Sequence, residues 1–496
     1  MYGKIALKIK GNGGIYNLNN LLLGNGINIQ FGGIAYSSNF IMKRIKYRAK
    51  LDSYDELFGN KFTGKEVVNL LEGFVDEANR IRKGEYDSFA KDDDTLDALK
   101  DFKNRYDITI QNSHDIMLED WFFVVYMFFL KNLDLEENRI SAIQGFERLI
   151  LDAIFNSGKI QEIYEKMKSY KKVRRFFESF DKIYTLNYDN NIESLTPKKV
   201  YHLHGDFSIL SNSENENNVL GYIRKKAGET VVINNMKHCF CNALLNYSGR
   251  LKYKVINDNH RLILEAENFA DRYANDEIFK QQLEKLKEEK PLEYSMFMTK
   301  ISHPELNMAT EYYFNSFSKI EGELALIGMS PNNDAHIFDA IINNKKLSKV
   351  IFYYYDEKDK AFIETHFPKN LFQCENVNTL WTRLDCKAKT YNCNHKLPSQ
   401  DLEKFIGIFN ALSDDILSEE TIIKKVNRIP QFEMKRLCEL VKKDMQKRNP
   451  LHTSTDEKGF LQQNASISYI ALQEGILPSV LYMICIMNFE YIKDMA

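Results

Sequence analysis

The chain is poor in the features that mark metal-stapled, secreted or membrane-spanning proteins. Its seven cysteines are irregularly placed, no Cys-x-x-Cys occurs, and Cys239 and Cys241 stand too close together for a ribbon-type pair. A structural zinc site is therefore not expected, and reduced thiols are the simpler account. Neither sign of charge is in excess: the net charge of -2 and the pI near 6.6 carry no basic bias, so no direct nucleic-acid binding is indicated. Long apolar runs are missing too. The strongest, residues 121–130 and 476–489, fall short of the roughly 20 residues a membrane helix needs and read as buried helices. The N-terminal stretch 1–10 alternates lysine with apolar residues and lacks the apolar core of a signal peptide, so a strand is expected there. No internal repeat is present. A soluble, cytoplasmic protein without membrane contact is the expectation.

What is present begins with length. A chain of 496 residues has room for two or three domains with real cores. Thr63-Gly64-Lys65-Glu66 is a capping-box pattern, with Phe62 placed to pack on Val67. Val67, Leu70, Leu71, Phe74, Val75, Ala78 and Ile81 then recur at helical spacing. Further helical patterns run over 118–130, 140–155 and 160–177. Residues 211–218 read as a polar loop, 231–233 as a short strand, and 269–290 as a charged helix ending at Pro291. Its Glu284 and Lys287 are spaced for an ion pair on a solvated face. Strand signals return at 324–327 and 350–354.

After about residue 397 only helical patterns remain. Leu402, Phe405, Ile406, Phe409 and Leu412 form one stripe, Met434, Leu437, Cys438 and Val441 another, and a polar break spans 449–459. The stripes either pack on each other or cover an oligomer or partner interface. The resulting fold class is α/β: a Rossmann-like parallel sheet over 1–396 carrying a large helical insertion at about 40–180, plus an all-helical C-terminal domain over 397–496.

Four short segments stand where the strands of such a sheet would end. Leu21-Leu22-Leu23-Gly24-Asn25-Gly26 is a buried strand running into a glycine turn. Such a turn lets backbone approach a phosphate closely, with a helix N-terminus behind it. Thr185-Leu186-Asn187-Tyr188-Asp189 follows an apolar run, Tyr201-His202-Leu203-His204-Gly205 lies just downstream, and Leu324-Ala325-Leu326-Ile327-Gly328-Met329-Ser330 with Asp334 forms the fourth. Asn187 offers a donor and an acceptor to a ligand hydroxyl or a water. An imidazole near neutral pH can accept a proton. Strand period alone does not separate His202 from His204. Asp189 either bonds a ligand hydroxyl or caps the following helix. Asn28 reads equally as a hydrogen-bonding group for a ligand or as a cap. Gly24 and Gly26 serve a phosphate or tight packing, while Ser330 and Asp334 read as a cap pair, as ligand groups, or as both.

In that order, the four motifs resemble the nucleotide-site core of the sirtuin (silent-information-regulator) superfamily. The resemblance implies that the Asn187 segment holds the nicotinamide ribose of NAD and that His204, directly before a glycine, is the catalytic base. It implies Gly24, Asn25, Gly26, Asn28, Asp189, Gly328, Ser330 and Asp334 as binding residues. The zinc-holding cysteine pairs and the longer entry motif of the protein-deacylating members are missing, which favours water as nucleophile. In outline the chain is similar to the sirtuin-like NAD-hydrolysing effectors of bacterial antiphage defence.

The expectation is an NAD+ glycohydrolase, with NAD as substrate and no metal, releasing nicotinamide and ADP-ribose in abortive infection. Such an activity calls for latency, with the C-terminal helices as gate, an assembly as homo-oligomer or with a second defence protein, and a phage-derived trigger. The alternatives are a module that senses NAD or ADP-ribose without cleaving it, and a protein deacylase or ADP-ribosyltransferase.

Overall fold

Six stretches of four to eight residues, or three in one case, form a single all-parallel sheet. Numbered within the sheet, they are β1 (Asn20–Leu23), β2 (Lys182–Thr185), β3 (Val200–His202), β4 (Gly322–Ile327), β5 (Leu347–Tyr354) and β6 (Phe372–Asn376). Their spatial order is 3-2-1-4-5-6. This is the order of Rossmann-type sheets, in which the winding reverses between β1 and β4 and leaves a crevice outside the carboxyl ends of the strands. The structure, a computed structural model, describes residues 10–11, 14–15, 20–59, 61–208, 223, 236–246, 249–331, 334–386, 391–397, 417–448 and 464–488. Apart from Lys10, the expected N-terminal strand lies outside them, as do the 211–218 loop, the 231–233 strand, the 402–412 stripe and the 449–459 break.

The central strands are apolar on both sides because both faces are covered. Leu22, Tyr184, Leu324, Leu326, Val350 and Phe352 share one core with the helices Ala335–Asn343 and Glu357–His366. The alternate residues Leu21, Leu23, Ile183, Ala325 and Ile327 are equally buried. Register is what matters for function. Leu23 pairs with Thr185 on one side and Ile327 on the other, and Thr185 pairs with His202. Four strand ends therefore lie in one row, and the residues that follow them leave the sheet at one level.

The chain between β1 and β2 is helical, including Gly64–Arg82, Asp93–Arg105, Asp120–Lys131 and Glu136–Phe155. The capping box forms as its residues require: the Thr63 side chain accepts from the Glu66 backbone N–H, and the Glu66 carboxylate accepts from that of Thr63. The helical pattern over 160–177 is not one helix. Ile163–Lys168 and Lys171–Glu178 are separated by an extended Tyr170. Likewise 269–290 is two helices, Phe269–Asn275 and Glu277–Glu289, because Asp276 turns its side chain onto the Ile278 and Phe279 N–H groups as an N-cap. Glu284 and Lys287 form no ion pair among the described residues. Glu284 accepts the Tyr294 hydroxyl at 3.3 Å, and Lys287 stands over the same ring.

The chain divides into two compact units, Met1–Phe31 with Arg48–Cys386, and Gly32–Tyr47 with Lys387–Ala496. The second unit thus takes in a segment that the sequence reading leaves in the first. Its core joins Met434, Leu437, Cys438 and Val441 to Ile467, Ile470, Leu481 and Ile484. Among the described residues no single helix is long and apolar enough to cross a membrane.

Candidate active site at the strand ends

The turns after β1 and β4 are built into each other. Gly24 N–H donates to the Ile327 carbonyl and Gly26 N–H to that of Gly328, both at 2.9 Å. A Cβ on Gly24 would stand 2.4 Å from the Gly328 oxygen, and one on Gly26 would stand 2.4 Å from the Gly328 Cα. Side chains are excluded at both positions by packing between the two turns. Asn25 between them is exposed.

The turn after β2 is tied to the same place. Asn187 donates its amide to the Gly24 carbonyl at 3.3 Å and its backbone N–H to the Thr185 hydroxyl at 3.0 Å. Its Oδ1 has no partner among the described residues, which leaves an acceptor for a ligand. Asn28, the third residue of the helix Gly26–Gly32, does not cap it. Instead its Nδ2 donates to Asp189 at 2.7 Å, while its buried Oδ1 has no hydrogen-bond partner among the described residues. Asp189 also accepts from the backbone and side chain of Asn191. Burial holds the Asp189 carboxyl above its usual range, against these donors and nearby His202. Asp189 therefore makes both the turn contact and a bridge to the first glycine turn.

The two histidines have different fates. His202 uses both ring nitrogens, Nδ1 with the Asn187 carbonyl at 2.8 Å and Nε2 with Glu193 at 2.6 Å. Burial opposes its charge, yet the bond to Glu193 and that carboxylate's charge raise its pKa overall. His202 thus braces the asparagine turn. His204 is also buried, and its Nε2 lies 3.1 Å from Nε2 of His336. Gly205 follows with φ +82°, where a Cβ would strike the Asn242 carbonyl oxygen at 2.3 Å, so the residue after the histidine has to be glycine.

Around His204 the structure assembles groups that the sequence motifs do not announce. Lys252, on the helix Gly249–Ala266, is 3 % exposed and pairs with Glu119 at 3.2 Å. Burial, Lys252 and His336 hold the His204 imidazole well below its ordinary range, so it is neutral. Burial, Lys252 and Arg105 bring His336 down to about 3. Asp334 is of intermediate exposure as a residue, but burial of its carboxyl and the charge of Glu119 raise it to about 7, against Lys252 and the Ser330 backbone N–H. Its side chain makes no cap bond to the helix it precedes. The cap reading of Asp334 is thereby not met. Tyr188 is buried close to Glu119, Cys241, Tyr312 and Asp334, and burial drives its phenol well above the usual value.

No protein-family model, curated protein or solved structure matches this chain. What the site can do is therefore read from its groups: a buried amide oxygen on Asn28 with no partner among the described residues, a neutral imidazole, and an acid that titrates near neutrality. The motifs of β1, β2 and β4 are joined by direct bonds, whereas His204 bonds His336 and makes no bond to Asn187. His336 had one sequence signal, its place two residues after Asp334. Glu119 and Lys252 had none, being 133 residues apart.

Two other features lie apart from the strand ends. Asp152, His238 and Cys239 come within metal-ligating distance of one another, but their atoms are already engaged. Asp152 accepts from Arg48, Tyr54 and His238, and the Cys239 thiol donates to the Arg148 carbonyl. An apolar pocket of about 120 Å³ in the helical insertion is lined by Phe58, Phe74, Phe128 and Phe146 among others, with Asn138 its one polar residue. None of the strand-end residues lines it.

Proposed function

We propose that this chain is an NAD+ hydrolase that cleaves the nicotinamide–ribose bond, a sirtuin-like enzyme acting as a latent effector of antiphage abortive infection. The observation that carries the reading is the single row of strand ends, where Asn187 is bonded to Gly24 and Asn28 to Asp189. Among the described residues the buried Oδ1 of Asn28 has no partner there, and a neutral histidine stands one strand away.

The departing pyridinium is already a good leaving group, so the site has to hold the ribose and present a nucleophile. The carbon–nitrogen bond breaks with its electron pair going to the nicotinamide nitrogen. The oxygen of water bonds to the ribose carbon, and the water proton passes to His204, which is free to take it because it is neutral. Asn187 Oδ1 accepts from a ribose hydroxyl or from that water. Asp334, titrating near neutrality, is a second group able to exchange a proton within the site.

The test is NAD and ADP-ribose measured in bacteria that express the wild type, Asn187→Ala or His204→Ala during challenge with a phage panel. Collapse of NAD in the wild type alone is expected. Protection of the cells with NAD level in all three would overturn hydrolysis in favour of a sensor, and a modified protein without free ADP-ribose would point to group transfer.

A further inference from the structure

We infer that His336 is the positioning residue of His204: by accepting the Nε2 proton of His204 it keeps Nδ1 of that ring bare and facing substrate as a base. The reading rests on the proposed hydrolase only for its kinetic readout. Two neutral imidazoles make an Nε2–Nε2 contact of 3.1 Å only when one nitrogen carries the proton and the other does not. Both rings are neutral, since burial and the charge of Lys252 oppose a proton on either. Nδ1 of His204 has no hydrogen-bond partner among the described residues, so it is the nitrogen left for a ligand.

A neutral imidazole places its single proton where an acceptor waits. Without His336, an Nε2–H on buried His204 would have no partner, and the proton would move to Nδ1. The ring would then meet substrate as a donor and could take no proton there. The arrangement has a cost: with His336 accepting at Nε2, its own proton lies on Nδ1, which is buried without a partner among the described residues. Phe314 lies roughly parallel to the His336 ring, at 6.3 Å between centroids, and Ile337 and Phe338, next to it on its helix, are anchored in the sheet core.

The test uses the full chain with ¹⁵N-labelled histidine, wild type against His336→Leu and His336→Gln. Leucine removes the acceptor, whereas glutamine keeps an amide oxygen within reach. Imidazole nitrogen shifts are expected to show His204 protonated at Nε2 in the wild type and His336→Gln, and at Nδ1 in His336→Leu. In NAD cleavage, His336→Leu is expected to lose about 100-fold in kcat, the scale of general-base catalysis, with KM little changed, and His336→Gln to recover most of it. A wild-type His204 protonated at Nδ1 would overturn the inference, as would His336→Leu cleaving at the wild-type rate or both variants failing alike. A wild type that never cleaves NAD would instead sink the hydrolase, and the nitrogen shifts would still decide the role of His336.

Discussion

Alanine at Gly328 tests the claim that the two glycine turns are a single packed unit. Gly328 holds φ +74°, and a Cβ there would stand 2.8 Å from Gly26 Cα and 2.9 Å from the backbone nitrogens of Gly26 and Ile27. The left-handed conformation costs an alanine about 1–2 kcal/mol. Forcing a methyl against backbone that is itself hydrogen-bonded adds about 1–3 kcal/mol, giving a total of about 2–5 kcal/mol. Gly59 supplies the control, because it is also left-handed at φ +63° but has nothing within 4 Å of its would-be Cβ. Gly59→Ala should therefore lose only the conformational part, about 1–2 kcal/mol. The protein reports on the right unit by itself. Its two tryptophans, Trp121 and Trp381, are both buried in the sheet-bearing unit, so urea unfolding followed by tryptophan fluorescence reads that unit. The midpoint shift multiplied by m gives each loss. Equal losses for the two variants would refute the packing argument.

Two pH-dependent effects follow from charges near the strand ends. The folded pKa of His202 lies above its ordinary value of about 6.5. The stability it contributes through Glu193 is therefore fully present below about pH 6.5 and fades as pH rises through the higher folded value. Glu193→Gln should cost about 1 kcal/mol in mildly acidic urea titrations and much less in alkaline ones, and a gap that ignores pH would count against the ion pair. Asp334 acts in the same direction in the wild type, since its folded carboxyl titrates near 7 while an unfolded one titrates at about 3.9. Its stability contribution is present below the lower value and is lost as pH climbs through the upper one. Asp334→Asn should flatten that decline, and parallel pH curves for the variant and wild type would contradict the burial of the carboxyl.

The sheet was legible where strands end in motifs and helices begin in caps. Thr63 and Glu66 are a local signal that forms whatever the rest of the chain does, and Leu21 to Leu23 can only be a fully buried strand or part of a buried helix. β6 was not legible: of Phe372–Asn376 only the first residue is buried, as befits a strand at the sheet's edge, so no alternation marks it. Within the site, Asn187 and His204 carry motif signals, and the structure separates His204 from His202 by the partners of their ring nitrogens. Glu119 and Lys252 meet only through tertiary packing. Spacing also misleads: Glu284 and Lys287 satisfy the helical ion-pair rule, yet both turn to Tyr294, because an aromatic ring on the next helix offers each a partner.

The membership of Gly32–Tyr47 in the second unit has a topological consequence. Arg44 donates to the Leu472 carbonyl at 3.0 Å, the Tyr47 hydroxyl donates to that of Ala465 at 2.8 Å, and Gly475 leaves no room for a Cβ beside Ala35. The chain thus enters that unit, leaves it, and returns only after Cys386. A single backbone cut after Cys386 would sever the polypeptide without freeing its C-terminal part, which stays clasped to a largely helical segment of the other fragment. Cut there, the two parts would behave as a split protein, with the clasp at Gly32–Tyr47 built into the longer, N-terminal part.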